Sequence, residues 1–214
     1  MRFVLLVCLI FFFNNILAQP DTSCDFPPVL GSEENFKRVD LCLNIILDNL
    51  EQNPQLGHEF TVKYIKELLP TTTSSYNQQI KSYPWTADYG KVADIISLMG
   101  SQKLMQGFVD FRVASAGSAD ESLSFAFAKL YWLQAPIMLE LIASYPNTIQ
   151  IKLINSLVWG LANNFYPHIN LENYQRLIVG SHWQLLEAEH VNRSLSLRIE
   201  QELALLLKQT ELAK

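Results

Sequence analysis

Apolar residues recur at intervals of three and four along most of this chain, and this periodicity constrains its fold more than any other feature. After Ser32, for example, one face of a helix would carry Phe36, Val39, Leu43, Ile46 and Leu50. No segment alternates between apolar and polar residues as a half-buried strand does, and no hairpin-turn sequence is found. The pattern therefore predicts an all-α protein.

Short turns divide the periodic segments into separate helices. Proline closes several of them, at Pro70 and at Tyr-Pro pairs beginning at 83, 145 and 166, because the residue before a proline disfavours helical geometry. We expect about eight to ten helices, with helix pairs recurring roughly every 30–40 residues. Two architectures fit this spacing: antiparallel helical hairpins in a HEAT-like α-α stack, or a compact multi-helix bundle. No repeated sequence signature distinguishes the two.

The stretch 122–165 is the most apolar part of the chain and is predicted to form the core. Its three charged residues are Lys129, Glu140 and Lys152. Residues 123–143 are apolar enough to resemble a membrane span, but ionisable residues at bilayer depth are costly, and Pro136 divides the segment into two helices. We therefore predict no membrane span after residue 18. The last helix of the stretch should bury Ile151, Ile154, Val158, Leu161 and Phe165.

The N-terminus has the form of a secretory signal peptide. Arg2 precedes an unbroken apolar run from Phe3 to Phe13, and the small residue Ala18 ends the segment. Such a run is typical of a signal peptide, and it is too short for the alternative, a membrane anchor of about 20 apolar residues. We predict cleavage after Ala18, a secreted or periplasmic location, and a single all-helical domain over 19–214. A flexible internal boundary is predicted near 114–119.

Removal of residues 1–18 would leave two cysteines, Cys24 and Cys42. Exported chains with an even number of cysteines usually pair them, which here would tie the extended segment 25–28 to the first helix. The alternative is two buried free thiols. The same removal takes out one of 16 basic residues and leaves 21 acidic ones, so the net charge changes from −5 to −6. This net negative charge argues against binding to nucleic acid. It is compatible with a basic protein partner, but it is also ordinary for a soluble protein.

Motifs for catalysis and for metal binding are incomplete in this sequence. Neither a Gly-x-Ser-x-Gly elbow nor a Ser-x-x-Lys pair occurs. His58-Glu59 lacks the second histidine of a His-Glu-x-x-His zinc helix. Glu187 and His190 share one helical face, but a helical di-metal site needs two such pairs. We therefore predict no catalytic residues, no metal and no cofactor, and expect the protein not to be an enzyme.

Two groups of aromatic residues lie near proline-containing turns and are the predicted binding residues. The first group is Tyr83, Trp85 and Tyr89, and the second is Tyr166, His168, Tyr174 and Trp183, next to Phe165. Aromatic rings with a polar atom are enriched at interfaces. The alternative role of these rings is to hold the turns against the core.

The sequence as a whole favours an exported, non-enzymatic helical protein that binds another macromolecule, with a protein as the expected partner. An inhibitor or immunity-type protein is its concrete form, motivated by export, size and acidity. Two alternatives stay open. One is a small-molecule or lipid carrier, with the helices of 122–165 lining a cavity. The other is a hydrolase of cell-wall or extracellular polymers, which would need two acidic residues facing each other across a groove.

Overall fold

The computed structural model describes residues 24–53, 57–82, 87–115, 121–163 and 190–212. These ranges are helical and contain no strand, so the all-α prediction is confirmed. The helices are α1 Glu33–Gln52, α2 His58–Leu68, α3 Thr73–Ser82, α4 Tyr89–Met99, α5 Gln102–Ala114, α6 Glu121–Leu133, α7 Ala135–Ala143, α8 Asn147–Ala162 and α9 His190–Leu212. The predicted signal peptide (1–18) lies outside the described residues.

The helices begin and end at local sequence signals. The Ser32 hydroxyl accepts a hydrogen bond from the backbone N–H of Asn35 at 3.1 Å and caps α1, and the Asp88 side chain caps α4 in the same way. Gly100 closes α4 in the left-handed conformation, with φ at 58°, where glycine is favoured. Pro136 lies in the first turn of α7, where proline needs no amide hydrogen. The predicted division of 123–143 at this proline is therefore confirmed.

The helices pack in two rows. The first row contains α1, α4, α6 and α8, each in contact with the next, and the second contains α2 and α3, then α5, α7 and α9. From α4 onward, chain order alternates between the rows, so consecutive helices lie in different rows; α2 and α3 both lie in the second row. Although residues 164–189 separate α8 from α9, these two helices also contact each other. The described helices therefore form an all-α multi-helix bundle.

Side-chain pairs show that α4 and α6, which are neighbours in the first row, run parallel. Lys129 Nζ on α6 lies 2.5 Å from Asp94 Oδ2 on α4. Further along the chain, Gln134, the residue after α6, donates from Nε2 to Ser97 Oγ on α4 at 3.1 Å. These partners are 35 and 37 positions apart in the sequence, which agrees with the predicted recurrence of helix pairs.

Helices α6 and α8 approach each other closely because the residues between them are small. Ser124 and Ser156 share a hydrogen bond at 3.0 Å. A Cβ atom placed on Gly160 would lie 2.3 Å from the Ser124 carbonyl oxygen and 2.8 Å from Ala128 Cβ. Position 160 therefore has no room for a side chain unless the two helices move apart.

One continuous core contains buried side chains from all nine described helices. Phe111, before the predicted boundary at 114–119, and Phe127, after it, belong to this same core. The buried face of α8 contains Leu153, Ile154, Leu157, Val158 and Leu161. Ile151 is 37 % exposed, so its predicted burial is wrong. The buried face of α8 includes Leu153 and Leu157, and Ile151 lies outside that face. Phe165 lies outside the described residues.

Within the described ranges, no single helix has both the length and the apolar composition to cross a membrane. Helices α6 and α7 meet those criteria only when taken together, and they are bent by 116° relative to each other.

Candidate binding surface

Of the seven aromatic and histidine residues predicted to bind a partner, Tyr89 is the one within the described residues. Tyr83, Trp85, Tyr166, His168, Tyr174 and Trp183 lie outside them. Tyr89 begins α4, is 4 % exposed, and its ring centroid is 5.0 Å from that of Phe111. Its ring therefore holds the start of α4 against the core, which is the alternative role considered for these aromatics.

Cys24 and Cys42 lie at disulfide distance, with their Cα atoms 5.3 Å apart. Disulfides usually span Cα separations of about 4.4–6.8 Å. Cys42 is buried on the apolar face of α1, as its position in the stripe predicts, and Cys24 is half-buried against the core. The pair holds the segment that follows Cys24 along α1.

A cleft of about 230 Å³ lies between this segment and helices α1 and α2. We call it the N-terminal cleft. Its lining includes Pro28 and Val29 from the segment, Arg38, Leu41 and Cys42 from α1, and Tyr64 from α2. The segment that follows Cys24 therefore forms the outer wall of the cleft.

Large apolar side chains are exposed around the N-terminal cleft. Val29 is 58 % exposed, Leu41 56 % and Phe26 48 %. The Phe26 ring centroid lies 6.2 Å from that of Phe60, which stacks on Tyr64 at 5.6 Å. Single exposed apolar residues are normal on a protein surface. Here, however, Val29 and Leu41 line one cleft, and Phe26 is connected through Phe60 to Tyr64 at its base, a grouping typical of a binding surface.

Charged side chains lie at the rim of the cleft. Arg38 Nη2 is 2.9 Å from Glu34 Oε1, and Arg38 Nη1 is 3.9 Å from Asp25 Oδ2. These exposed pairs contribute little to stability, but they give the cleft a polar border. Burial raises the pKa of the Tyr64 phenol to about 12, and the Asp25 carboxylate adds to the shift. An apolar centre with a polar rim is the usual anatomy of a protein–protein interface.

Sequence reasoning missed this surface because it followed the buried stripe of α1. Leu41 is two residues after Val39, which places it on roughly the opposite side of the helix. The sequence signal for the surface around the N-terminal cleft is Leu41. This leucine lies outside the buried stripe of α1 and near an extended segment that contains a paired cysteine. The exposure of Phe26 has no such signal, because no periodicity applies to an extended segment of a few residues.

No metal centre is found among the described residues, where no group of three or more His, Cys, Asp or Glu side chains is arranged to hold an ion. Glu187 lies outside these residues, as does the His190 side chain. Asp88 and Asp94 line a second cleft, beside α4 and α6. Asp88 caps α4 and Asp94 is paired with Lys129. Asp88 precedes α4 and Asp94 lies within the same helix, so the two carboxylates do not face each other across a groove.

No protein-family model matches the chain, and comparisons with curated proteins and with solved structures find no similar protein.

Proposed function

We propose that this protein is exported, is not an enzyme, and binds another protein through the N-terminal cleft. The observation that carries the proposal is the group of exposed apolar side chains, Phe26, Val29 and Leu41, around a cleft whose outer wall is held by Cys24 and Cys42. The cysteine pair also supports export, because disulfides persist in oxidising compartments.

The position of these side chains supports binding because they are already largely fixed and would lose little conformational entropy on association. A covalently held segment loses less conformational freedom on association than a free one, so more of the contact energy appears as affinity. Leu41 is on a 20-residue helix, and Phe26 is in ring contact with Phe60. A partner that inserts an apolar side chain between Val29 and Leu41 would bury both of these cleft-lining residues at once.

The concrete form of the proposal is an inhibitor or immunity-type protein that blocks an enzyme outside the cytoplasm. The chain has a net charge of −5, which favours association with a basic partner through electrostatic steering. Beside the cleft, Arg38 is paired with Asp25 and Glu34, so the steering is expected from the charge of the whole chain. Binding should therefore weaken as salt concentration rises, since exposed charges are screened.

The test is affinity capture of the tagged protein from its native extracytoplasmic extract, comparing Leu41→Asp with Leu205→Asp. Leu41 and Leu205 are 56 % and 58 % exposed, and both lie on helices. The two substitutions therefore add the same charge at equally exposed positions, but only Leu41 lines the cleft.

We expect one stoichiometric partner, retained by Leu205→Asp and reduced at least about tenfold by Leu41→Asp, since burying a charge in an interface core costs more than 1.4 kcal/mol. An empty capture with the unaltered protein, or a partner retained equally by both variants, would contradict binding through the cleft.

The two alternative functions remain predictions. For the carrier, the helices of 122–163 pack on one another, and Leu123, Phe127 and Leu157 are fully buried in the common core. For the hydrolase, paired carboxylates across a groove are the feature to be sought.

A further inference from the structure

The N-terminal cleft contains a tyrosine hydroxyl without a hydrogen-bond partner. Tyr64 lines the cleft and is 1 % exposed. Among the described residues, no group donates a hydrogen bond to its hydroxyl or accepts one from it. Its oxygen is not enclosed, because the enclosed hydroxyl without a partner in the described ranges is that of Ser196. Since a buried polar group left unpaired costs free energy, this hydroxyl is suited to a ligand that enters the cleft.

A second polar side chain of the lining, Asn35, has an acceptor to offer. Asn35 Nδ2 lies 3.4 Å from the Leu30 carbonyl oxygen, which assigns the amide nitrogen to that side. No described residue donates a hydrogen bond to Asn35 Oδ1. The cleft therefore has one hydroxyl that can donate and one amide oxygen that can accept. A peptide chain has the complementary groups, a carbonyl oxygen and an N–H.

The charge and the volume of the cleft favour an uncharged, apolar residue. The lining contains one acid, Asp25, and one base, Arg38, and these side chains are paired at 3.9 Å. A charged side chain would therefore find no surplus of opposite charge to offset its desolvation. At the roughly 30 Å³ that a water molecule occupies in the liquid, the 230 Å³ of the cleft hold about eight heavy atoms. That is the size of one leucine residue with its main-chain atoms.

We infer that the N-terminal cleft takes an extended segment of the partner protein, with one leucine-sized aliphatic side chain between Val29 and Leu41. The Tyr64 hydroxyl donates to a carbonyl oxygen of that segment, and Asn35 Oδ1 accepts from one of its N–H groups. In such a site, main-chain hydrogen bonds provide affinity and the side-chain pocket provides selectivity. The inference rests on the proposed function and names the part of the partner that binds.

The test uses blocked tripeptides as probes, titrated into the purified protein and followed by NMR and calorimetry. The first probe, acetyl-Ala-Leu-Ala-amide, has the aliphatic side chain and its peptide groups. In one comparison peptide glycine replaces the leucine, and in another lysine replaces it. We expect saturable one-to-one binding of the leucine peptide, with resonance shifts at Val29 and Leu41. Both comparison peptides should bind at least about tenfold more weakly.

Removal of one hydrogen-bonding group at a time tests the recognition of the main chain. Tyr64→Phe should weaken binding of the leucine peptide about five- to tenfold, since it leaves a buried carbonyl oxygen unpaired. Methylation of the leucine nitrogen in the peptide removes the N–H and should have an effect of similar size. Tyr76→Phe is the matched control, because Tyr76 is 4 % exposed but lies on α3, outside the cleft, against Phe111. This control should bind like the unaltered protein.

The inference is overturned if the leucine peptide shows no saturable binding at millimolar concentration, or if the lysine peptide binds as tightly. It is also overturned if Tyr64→Phe binds the leucine peptide as Tyr76→Phe does. Should Tyr64→Phe fail to fold, the N-methylated peptide decides, and an affinity equal to that of the leucine peptide rejects the inference. A dimer of the unaltered protein that Leu41→Asp dissociates would reject it too, because the cleft would then hold a second copy of the chain.

Affinity capture separates this inference from the proposed function. A captured partner that is lost with Leu41→Asp, together with no peptide binding, rejects the inference alone. An empty capture, together with peptide binding that Tyr64→Phe weakens, rejects the proposed function and supports the preference of the cleft for an extended segment.

Discussion

Two glycines within helices illustrate how one residue type meets opposite constraints. Gly160 lies where α8 touches the backbone of α6, and an added Cβ would be 2.3 Å from a carbonyl oxygen. Gly107, inside α5, has nothing within 4 Å of the position that a Cβ would occupy. Close helix packing thus requires glycine at one position, whereas the other bears only glycine's cost in helix propensity.

Alanine at these two positions should therefore change stability in opposite directions. Gly160→Ala should lower the free energy of unfolding by about 1–3 kcal/mol, because overpacking forces α6 and α8 apart. Gly107→Ala should raise it by about 0.5–1 kcal/mol, since alanine loses less backbone entropy in a helix. Urea denaturation measures both, and equal effects of the two variants would contradict the close approach of α6 and α8.

Among the described residues, Tyr64 and Tyr145 have raised pKa values, from which we expect stability to depend on pH above 10. Burial raises the pKa of Tyr64 to about 12, while burial, followed by the hydrogen bond to Asp110, raises the pKa of Tyr145. Each pKa is higher in the folded than in the unfolded protein. The stabilisation is therefore complete below about pH 10 and is lost as pH rises through the folded-state pKa.

Tyr64→Phe tests this dependence. Between pH 10 and 12 the unaltered protein should lose up to about 2–3 kcal/mol through Tyr64 ionisation, and the variant should lose less over the same interval. Chemical denaturation at several pH values measures the difference. Parallel curves for the two proteins would show that Tyr64 ionises equally in the folded and unfolded states.

At the scale of residues, the sequence predicted features that one helix or one pair of residues determines. The buried stripe of α1 and the proximity of Cys24 to Cys42 are of this kind. The requirement for glycine at 160 was not predictable, because it arises from the distance between two helices 32 or more residues apart in sequence. The exposure of the Leu41 side chain can be predicted from the sequence only after the buried side of α1 has been identified.

At the scale of elements, we expect the segment before α1 to depend on the cysteine pair. The two cysteines are 18 positions apart, and closing a loop of this length stabilises a protein by about 3 kcal/mol in the chain-entropy description. The double variant Cys24→Ala, Cys42→Ala should lower the free energy of unfolding by about that amount. It should also increase hydrogen exchange in residues 25–30, because their backbone loses its covalent tie.

Denaturation and exchange measured with and without a reductant supply the control for this prediction. The reductant should reproduce the effect of the double variant on the unaltered protein and have no effect on the variant itself. If the unaltered protein is insensitive to the reductant, the two thiols are free and the outer wall of the cleft is held by other contacts.

Helix boundaries were the most predictable elements. Ser32, Gly100 and Pro136 act through local hydrogen bonds and backbone geometry, so their effects do not depend on tertiary context. The buried face of α8 was less predictable, because 122–165 is apolar on most sides and its hydrophobic pattern does not define one direction. The error at Ile151 follows from this.

At the scale of the whole molecule, the sequence predicted an all-α protein with helix pairs recurring at 30–40 residues, but not the contacts between pairs. The offsets of 35 and 37 residues between α4 and α6 show how successive pairs meet. These contacts depend on which faces of neighbouring helices bury best together, and no repeated motif in the sequence specifies them. The N-terminal cleft is at the end of the first row, where α1 has no preceding pair among the described residues.

The central claim is that this N-terminal end binds a protein, and site-specific photocrosslinking tests it most directly. A photoreactive amino acid is placed at position 41 in one sample and at position 205 in another, and each protein is exposed to its native extracytoplasmic extract before irradiation. We predict a single crosslinked protein from position 41 and none from position 205. The absence of a crosslink at 41, or the same products from both positions, would contradict the claim.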